Sequence, residues 1–319
     1  MGRLKDFVKR LRDRFLSTTS VEILSTRKDI ERLESQFQES LGLVKSLDRS
    51  LSQLLNEILA VKTDIGKLEM RLQDVLRMAS QNELWFRDPR IRLVTQHPIA
   101  VESNDHKHPR GTKNDDTRFP RLVTKAEAVF PHQCPLRFLD LGCSGGGLVL
   151  DFLLRGHYAV GLEGSDYSLR NQRAEWRVIP QNLLTCDIAK PFILLDVDTD
   201  RPVQFDLITA WEVLEHLPET EIPQFFENVA KHLATDGYFL ASVATFEDKD
   251  PTTGAVWHVT VKEKPWWEEQ FKAAGFEERR QVFDYEEFPR GTGRPNSAWD
   301  VRKNPELGFH VVLGCRESA

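Results

Sequence analysis

A glycine-rich run at residues 140–147, DLGCSGGG, restricts the possible fold of this chain more than any other feature. It continues a short apolar run that begins at Phe138, and it precedes residues 148–155, which can form a helix. Glycines at a strand-to-helix turn let the backbone approach a nucleotide-like ligand, and the helix N-terminus presents N–H groups to that ligand. The run therefore predicts an α/β sheet that carries a nucleoside-cofactor site at this turn.

Acidic residues stand at the ends of the neighbouring predicted strands. Glu163 ends the second apolar run, where a carboxylate can accept hydrogen bonds from both hydroxyls of a ribose. Asp187 ends the third run and is placed to accept from an adenine amino group, while Asp140 can receive an amine of the ligand. A fourth run, residues 205–210, leads into the segment WEVLEHLP.

These motifs together resemble the class I S-adenosylmethionine-dependent methyltransferases, and within them the group that acts on small molecules, quinones and sugars. The resemblance covers about residues 118–315. It implies S-adenosylmethionine as the cofactor, with Asp140 and the glycine turn at its methionine end, Glu163 at its ribose and Asp187 at its adenine. Ser144 stands where the family usually has glycine, and it is small enough to fit. The implied cofactor-binding residues are Asp140, Gly142, Cys143, Ser144, Gly146, Glu163, Gly164, Asp187, Ile188 and Trp211.

The rest of the core alternates predicted strands and helices. Helices are predicted near 221–233 and 266–274, and the last strand is predicted at 308–315. Seven strands with crossover helices imply a doubly wound sheet, in which ligands lie at the carboxyl ends of the strands. The expected fold of residues 131–319 is therefore α/β, a doubly wound seven-stranded Rossmann-like methyltransferase sheet.

Three residues are candidates for catalysis. Methyl transfer needs an acceptor aligned with the methyl group, and an oxygen acceptor of high pKa also needs a base. His216 follows the fourth strand at the ligand edge, and the resemblance to sugar-modifying relatives implies that Glu215 and His216 face the acceptor. A helix-capping histidine is the alternative interpretation of His216. His258, after the fifth strand on the same edge, is the second candidate for the base.

Residues 81–130 mix charge, proline and histidine and are predicted to be too polar for the core. They are expected to form a solvated linker or, as the family resemblance implies, a lid over the cofactor site. Lys113, Asp115 and Arg118 are the residues of interest in such a lid. A long interval at 284–303 is expected to line the acceptor site. The expected acceptor-binding residues are Arg118, Trp257 and Arg290.

Composition excludes several classes of function. The four cysteines show no C-x-x-C pairing and no clustering with histidine, which is typical of a reduced, intracellular chain without a structural metal. The acidic residues Glu212, Asp248 and Asp250 lack a ligand spacing, so no metal is predicted. A net charge of −6 argues against nucleic acid as a partner. Since no apolar stretch approaches the roughly 18 residues of a membrane span and no signal peptide is recognised, the expected location is cytoplasmic.

Residues 21–80 are free of proline and carry a heptad pattern. The pattern predicts a long α-helical coiled coil that joins copies of the chain into a homo-oligomer. A trimer is favoured over a dimer because Leu51 and Leu72 at first positions, with Leu41, Leu43 and Leu55 beside the seam, widen the apolar face. One long helix packed along the catalytic domain is the alternative. The apolar first positions are Ile23, Ile30, Phe37, Val44, Leu51, Ile58, Ile65 and Leu72, and the second positions are Leu33, Leu47, Leu54, Val61, Leu68 and Val75.

Residues 1–20 form a basic amphipathic leader. Within residues 1–16, six basic residues against two acidic ones leave a charge of +4. This pattern is typical of a helix on an anionic membrane surface, which would place the protein peripherally on the inner face of the membrane. A solvated leader that continues the coiled coil is the alternative. The apolar residues of one helical face are Leu4, Phe7, Val8, Leu11 and Phe15.

The function expected from the sequence is O-methylation of a saccharide or cell-surface glycan by an oligomeric methyltransferase. A small metabolite or a quinone is the alternative acceptor. From other classes, a nicotinamide oxidoreductase and a non-catalytic coiled-coil scaffold are the alternatives. Ser144 and the pair Glu215–His216 speak against the oxidoreductase, and the full set of acidic cofactor residues together with His216 speaks against the scaffold.

Overall fold

The structure is a computed structural model that describes residues 2–80, 89–100, 117–133, 135–249, 252, 254–279, 282–283 and 304–316. Of the residues named above, Lys113, Asp115, Asp250 and Arg290 lie outside these ranges. The chain divides into two compact units, Met1–Val75 and Leu76–Ala319.

Helix α1 runs without interruption from Gly2 to Ser80, a length of 79 residues or about 120 Å. The basic leader and the heptad segment are thus parts of one helix, which contains no proline to break it. Within the single chain the described apolar heptad residues are 50–67% exposed. They are Leu33, Phe37, Val44, Leu47, Leu51, Leu54, Ile58, Val61 and Ile65. The coiled coil itself stays a prediction.

Among the helices of the described segments, none combines the length and the apolar character that a membrane span requires.

The second unit contains a mixed sheet. The described strands are β1 (Ile91–Thr95), β2 (Arg137–Leu141), β3 (Tyr158–Glu163), β4 (Leu183–Thr185), β5 (Phe192–Asp196), β6 (Phe205–Trp211), β7 (Leu233–Ala244), β8 (Phe276–Glu278) and β9 (Gly308–Cys315). Seven of these described strands form one sheet in the order β4-β3-β2-β6-β7-β9-β8. From β4 to β7 neighbouring strands are parallel, whereas β9 is antiparallel to both β7 and β8.

Helices cover both faces of this sheet. They are α2 (Pro120–Val129), α3 (Gly147–Leu154), α4 (Tyr167–Asn171), α5 (Ile222–His232) and α6 (Lys264–Ala273). Because side chains alternate along a strand, Phe138 of β2 packs in one core with α2 and α3, and Leu139 packs in the other with α5 and α6. The layers confirm the predicted α/β Rossmann-like methyltransferase fold.

The predicted connector contributes more structure than its polarity indicated. Strand β1 pairs antiparallel with β5 in a separate two-stranded sheet. In α2 the side chains of Leu122, Val123 and Ala126 are almost fully buried. These apolar residues share one helical face, so the prediction that residues 81–130 are too polar for the core is wrong for α2.

Candidate active site

The glycine-rich turn joins the end of β2 to the start of α3. Gly142 and Gly146 have φ angles of +77° and +84°, which side-chain-bearing residues rarely adopt. A Cβ atom on Gly142 would lie 2.5 Å from Cγ2 of Val213, and one on Gly146 would lie 2.5 Å from Cδ1 of Leu183. Glycine is thus required at both positions by conformation and by space.

Glu163, at the end of β3, holds this turn. Its Oε2 accepts a hydrogen bond of 2.7 Å from the backbone N–H of Ser144, and its Oε1 accepts one of 3.2 Å from Ser165. Burial raises the pKa of the Glu163 carboxyl, while these backbone donors and the charge of Arg173 oppose the rise. The carboxylate therefore lies against the turn, where its predicted contact with a ribose stays a prediction.

Asp140 lies in β2 beneath the turn and is only 3% exposed. The hydroxyl of Thr209 donates to its Oδ1 over 2.7 Å, because Thr209 is the register partner of Asp140 in β6. Sequence reasoning missed Thr209, although it is a polar residue within an otherwise apolar predicted strand. Burial and the charges of Glu163 and Asp140 raise the pKa of the Cys143 thiol, so this cysteine stays protonated and is not a nucleophile.

Asp187 and Ile188 follow β4 at the same edge of the sheet. The backbone N–H of Asp187 donates to the carbonyl of His97, and its Oδ1 accepts from Ala189 over 3.0 Å. Burial raises the pKa of the Asp187 carboxyl. Ile188 is 6% exposed and offers an apolar surface beside it.

Two described pieces of the connector contact this edge. Ala100, beyond β1, donates its backbone N–H to the carbonyl of Gly164 over 2.9 Å. At the start of α3, the N–H of Gly147 donates to Oγ1 of Thr117 over 2.6 Å. The connector thus lies against both the β3 end and the helix N-terminus, and whether it acts as a lid stays a prediction.

Arg118 is held in a buried ion pair. Its Nε donates to Oδ1 of Asp151 in α3 over 2.6 Å, and the backbone N–H of Phe119 donates to Oδ2 of the same carboxylate. The Arg118 and Asp151 side chains are 9% and 2% exposed. This pair fixes the connector to α3, and the predicted contact of Arg118 with the acceptor stays a prediction.

The three predicted catalytic residues come together beyond the end of β6. A 3₁₀ turn, Leu214–His216, presents His216, whose Nδ1 donates to the carbonyl of Trp257 over 2.9 Å. His258 donates from its Nδ1 to the carbonyl of Phe246 over 2.7 Å. The two imidazole rings lie edge to face, with centroids 4.9 Å apart. Burial, and then the neighbouring His258, lower the pKa of His216 to about 4, so its ring is neutral at physiological pH.

Glu215 joins the two segments of this cluster through its backbone. Its carbonyl accepts hydrogen bonds from the N–H groups of Val259 and Thr260, at 2.9 and 3.0 Å. Its side chain is fully buried. One ligand-capable atom from each of Glu215, His216 and His258 lies within 4.8 Å of the other two. The site is therefore a carboxylate and two imidazoles at the strand next to the glycine-rich turn.

One residue at the same edge of the sheet has a strained backbone conformation. Glu212, directly after β6, has a φ angle of +55° although it is not glycine. Its N–H donates to the carbonyl and the hydroxyl of Ser242 in β7. Strained residues of this kind concentrate at functional sites.

Comparison with known families identifies the domain that carries these features. A family model described as a methyltransferase domain matches residues 112–281, which is more than half of the chain. The chain belongs to this methyltransferase family. The matched range contains the glycine-rich turn and all three candidate catalytic residues, and the cofactor of the methyltransferase domain is S-adenosylmethionine. The predicted enzyme class and cofactor are confirmed.

Solved structures of methyltransferases are similar to the domain at low identity. A TehB-like methyltransferase from Corynebacterium glutamicum is 17% identical, with a TM-score of 0.40 over 62% of this chain and 88% of that chain. The glycopeptide N-methyltransferase MtfA, complexed with S-adenosylmethionine, is 16% identical, with a TM-score of 0.39 over 63% and 96% of the two chains. The CcbJ methyltransferase from Streptomyces caelestis is 14% identical, with a TM-score of 0.40 over 64% and 93%.

Among curated proteins none matches the sequence.

Proposed function

We propose that the methyltransferase domain methylates a hydroxyl oxygen of a saccharide, with the cluster of Glu215, His216 and His258 activating that hydroxyl. The observation that supports this most is the position of the cluster. It follows β6, which pairs directly with β2, and Leu141 at the end of β2 is the register partner of Ala210 near the end of β6. The cluster and the glycine-rich turn thus stand at adjacent ends of parallel strands.

The residues of the turn would hold the cofactor. Asp140 and the backbone of the turn receive its methionine end, Glu163 its ribose hydroxyls and Asp187 its adenine amino group. Bound there, S-adenosylmethionine supplies a methyl group on a positively charged sulfur. The carboxylates of Asp140, which is buried, and of Glu163, which is partly buried, would provide negative charge for such a cation.

The cluster provides what an oxygen acceptor needs. A sugar hydroxyl loses its proton only at high pH, so its attack on a methyl carbon needs a nearby group that takes up or displaces that proton. His216 and His258 each donate Nδ1–H to a backbone carbonyl, so in a neutral ring the lone pair lies on Nε2. A lone pair at Nε2 of His216 can accept the hydroxyl proton as the oxygen bonds to the methyl carbon.

Isothermal calorimetry with S-adenosylhomocysteine tests the cofactor site first. The parent chain should bind the ligand with micromolar affinity, and Glu163→Ala should abolish binding. Glu269→Ala removes an exposed carboxylate of α6 and is the matched control, which should bind as the parent does. Absence of binding to the parent chain, or binding of NADH in its place, would reject the proposed function.

A turnover assay tests the acceptor class. Release of S-adenosylhomocysteine should be stimulated by nucleotide sugars or glycans, and His216→Ala should lower kcat by about 10²–10⁴-fold, the contribution typical of a general acid–base group. His132→Ala deletes an exposed histidine outside the cluster and should leave kcat unchanged. Turnover with quinones or small metabolites, and none with sugars, would replace the saccharide as the acceptor.

The assembly is a further part of this proposal. Three copies of α1 would pack their exposed apolar heptad faces together.

The leader would bind an anionic membrane on the cytoplasmic side. Phe7 and Leu11 are 61% and 54% exposed, which leaves them available to a lipid surface. Co-sedimentation with phosphatidylserine vesicles, but not with neutral phosphatidylcholine vesicles, is the expected result. Equal binding to both kinds of vesicle, or to neither, would exclude the electrostatic anchor.

A further inference from the structure

The cluster beyond β6 has the composition of a metal site. Two imidazoles and one carboxylate offer nitrogen and oxygen ligands, a set that suits divalent first-row transition metals. The three ligand-capable atoms of Glu215, His216 and His258 lie within 4.8 Å of one another. Ligands about 2.1 Å from a tetrahedral ion stand roughly 3.4 Å apart, so the three atoms would move closer together when a cation binds.

Both imidazoles are already oriented as metal ligands are. A metal-binding histidine donates its second ring N–H to a carbonyl or carboxylate, which fixes the tautomer and the ring direction. The carbonyl of Trp257 accepts from Nδ1 of His216, and the carbonyl of Phe246 accepts from Nδ1 of His258. Since a carbonyl can only accept, the Nε2 atom of each neutral ring carries the lone pair. The two rings lie edge to face, with their centroids 4.9 Å apart.

The charge of the cluster also favours a cation. Glu215 is fully buried, and a carboxylate removed from water is costly unless positive charge lies close to it. A divalent cation bound by Glu215, His216 and His258 would supply that positive charge.

We infer that Glu215, His216 and His258 bind one divalent transition-metal cation of the Zn²⁺, Mn²⁺ and Co²⁺ class. Three protein ligands leave a coordination position open, as in catalytic rather than structural sites. The role of the cation in catalysis rests on the proposed function, under which an acceptor hydroxyl fills that position. The cation polarises the oxygen, the hydroxyl proton leaves to water, the oxygen forms the bond to the methyl carbon, and the electron pair of the broken carbon–sulfur bond returns to sulfur.

The sequence alone predicted no metal because the acidic residues near the site lack a ligand spacing. The ligands instead come from two distant segments, which the backbone bonds of Val259 and Thr260 to Glu215 bring together. The same assignment changes the part played by His216. As a ligand, His216 uses its Nε2 lone pair to bind the cation and is not the base. The acceptor hydroxyl is then activated by the cation, which lowers its pKa.

Cobalt titration of the full chain tests the site without any cofactor or acceptor. The protein, purified without a histidine tag and treated with a chelator, is titrated with Co²⁺ while the visible absorption of the ion is followed. The expected result is one Co²⁺ per chain, displaced by Zn²⁺. Because loss of a supporting residue alone lowers metal affinity by about 10–100-fold, His258→Ala and Glu215→Gln, which remove a ligand, should lower it by more than about 100-fold. His132→Ala is the matched control and should bind as the parent does.

The outcomes separate this inference from the proposed function. Absence of Co²⁺ binding by the parent, or binding retained in His258→Ala, overturns the metal site. Circular dichroism checks the fold of each variant. If Glu215→Gln unfolds, the Co²⁺ affinities of His258→Ala and His132→Ala decide whether the metal site exists. The same chelated sample is titrated with S-adenosylhomocysteine. Cofactor binding without Co²⁺ binding rejects the metal and leaves His216 as the base, whereas Co²⁺ binding without cofactor binding supports the metal site and rejects the proposed function.

Discussion

The backbone N–H of Ser144 lies 2.7 Å from Oε2 of Glu163, so the residue predicted to hold the ribose also holds the glycine-rich turn. Ser165 donates to the other oxygen of the same carboxylate. One side chain therefore links the end of β2 to the end of β3. Loss of this carboxylate should affect both the cofactor contact and the shape of the turn that surrounds it.

Replacing Glu163 by glutamine should weaken binding of S-adenosylhomocysteine by at least about tenfold. The amide oxygen can accept from Ser144 or from Ser165, but the NH₂ group cannot accept from the other. The loss of a charge-assisted hydrogen bond, about 1.5–3 kcal/mol, corresponds to roughly 10–100-fold in affinity. Calorimetry on Glu163→Gln, with Glu269→Gln as the control, measures the effect. Unchanged affinity in Glu163→Gln would show that the turn does not depend on this carboxylate.

Gly142→Ala should destabilise the domain and remove cofactor binding. The positive φ angle costs about 1–3 kcal/mol for a residue with a side chain, and the new methyl group meets Cγ2 of Val213 at 2.5 Å. Gly275→Ala isolates the clash, because Gly275 has a φ angle of +83° with nothing within 4 Å of its Cβ position. Thermal unfolding should show a larger decrease in Tm for Gly142→Ala than for Gly275→Ala. Equal decreases in Tm would mean that the side chain of Val213 moves aside freely.

Arg118→Met should lower the free energy of unfolding by about 3–5 kcal/mol, because it leaves the buried carboxylate of Asp151 without its cation. Restoring neutrality with Asp151→Asn in the same chain should recover part of this loss. Urea unfolding of the two single variants and the double variant measures the coupling between the residues. Arg121→Met, at an exposed position at the start of α2, is the control. A loss below about 1 kcal/mol in Arg118→Met would indicate a pair that is solvated in solution.

Stability should fall as the pH drops below about 6.5, in part through His232 at the end of α5. Its Nε2 accepts from the backbone N–H of Leu194 over 3.0 Å, and its Nδ1 donates to the carbonyl of Asn228. Burial lowers the pKa of His232 below its ordinary value of 6.5, and the charge of Lys231 acts in the same direction. The unfolded chain therefore binds a proton at His232 more readily than the folded chain does. The contribution of neutral His232 to the free energy of unfolding is complete above the unfolded pKa and is lost as the pH falls below it.

Urea unfolding at pH 7.5, 6.5 and 5.5 measures this dependence. The variant His232→Gln keeps a neutral donor and acceptor, so its stability should change less over this range than that of the parent chain. His132→Gln, at an exposed position, should follow the parent. Identical pH dependence of the parent and His232→Gln would exclude His232 as a source of the acid sensitivity.

Charges placed on the heptad seam of α1 should dissociate the proposed trimer. Leu47 and Leu54, at second positions, are 62% and 53% exposed in the single chain. The double variant Leu47→Asp/Leu54→Asp places charges in the seam, whereas Ser46→Asp/Gln53→Asp places the same charges one position away, outside the seam. Analytical ultracentrifugation should give three chains for the parent and the control, and one for the seam variant. A monomeric parent would exclude the coiled coil.

The sequence was sufficient where structure depends on local pattern. The apolar run at the end of the chain predicted β9 at the residues that form it, and the glycine-rich turn predicted the junction of β2 and α3. The comparison with the methyltransferase family confirms the enzyme class that these motifs indicated. In each case the pattern is carried by neighbouring residues, whose conformation depends little on the rest of the chain.

Contacts between distant segments were not predictable in the same way. The pairing of Thr209 with Asp140 depends on the register of β2 against β6, and the ion pair of Arg118 with Asp151 depends on where the connector meets α3. Strand β1 lies in the segment that was interpreted as a connector, and it finds its partner β5 only in the folded chain. Such contacts are fixed by topology, which a single sequence does not display.

The hydrogen bonds from Val259 and Thr260 to the carbonyl of Glu215 involve main-chain atoms alone. Any residue other than proline at positions 259 and 260 can therefore donate them. Substitutions at the exposed Val259, for example, can alter the shape and polarity of the surface beside the cluster while these main-chain bonds are kept. Under the proposed function, such a domain can acquire a new acceptor through a few point mutations, because the main-chain structure of its site is kept.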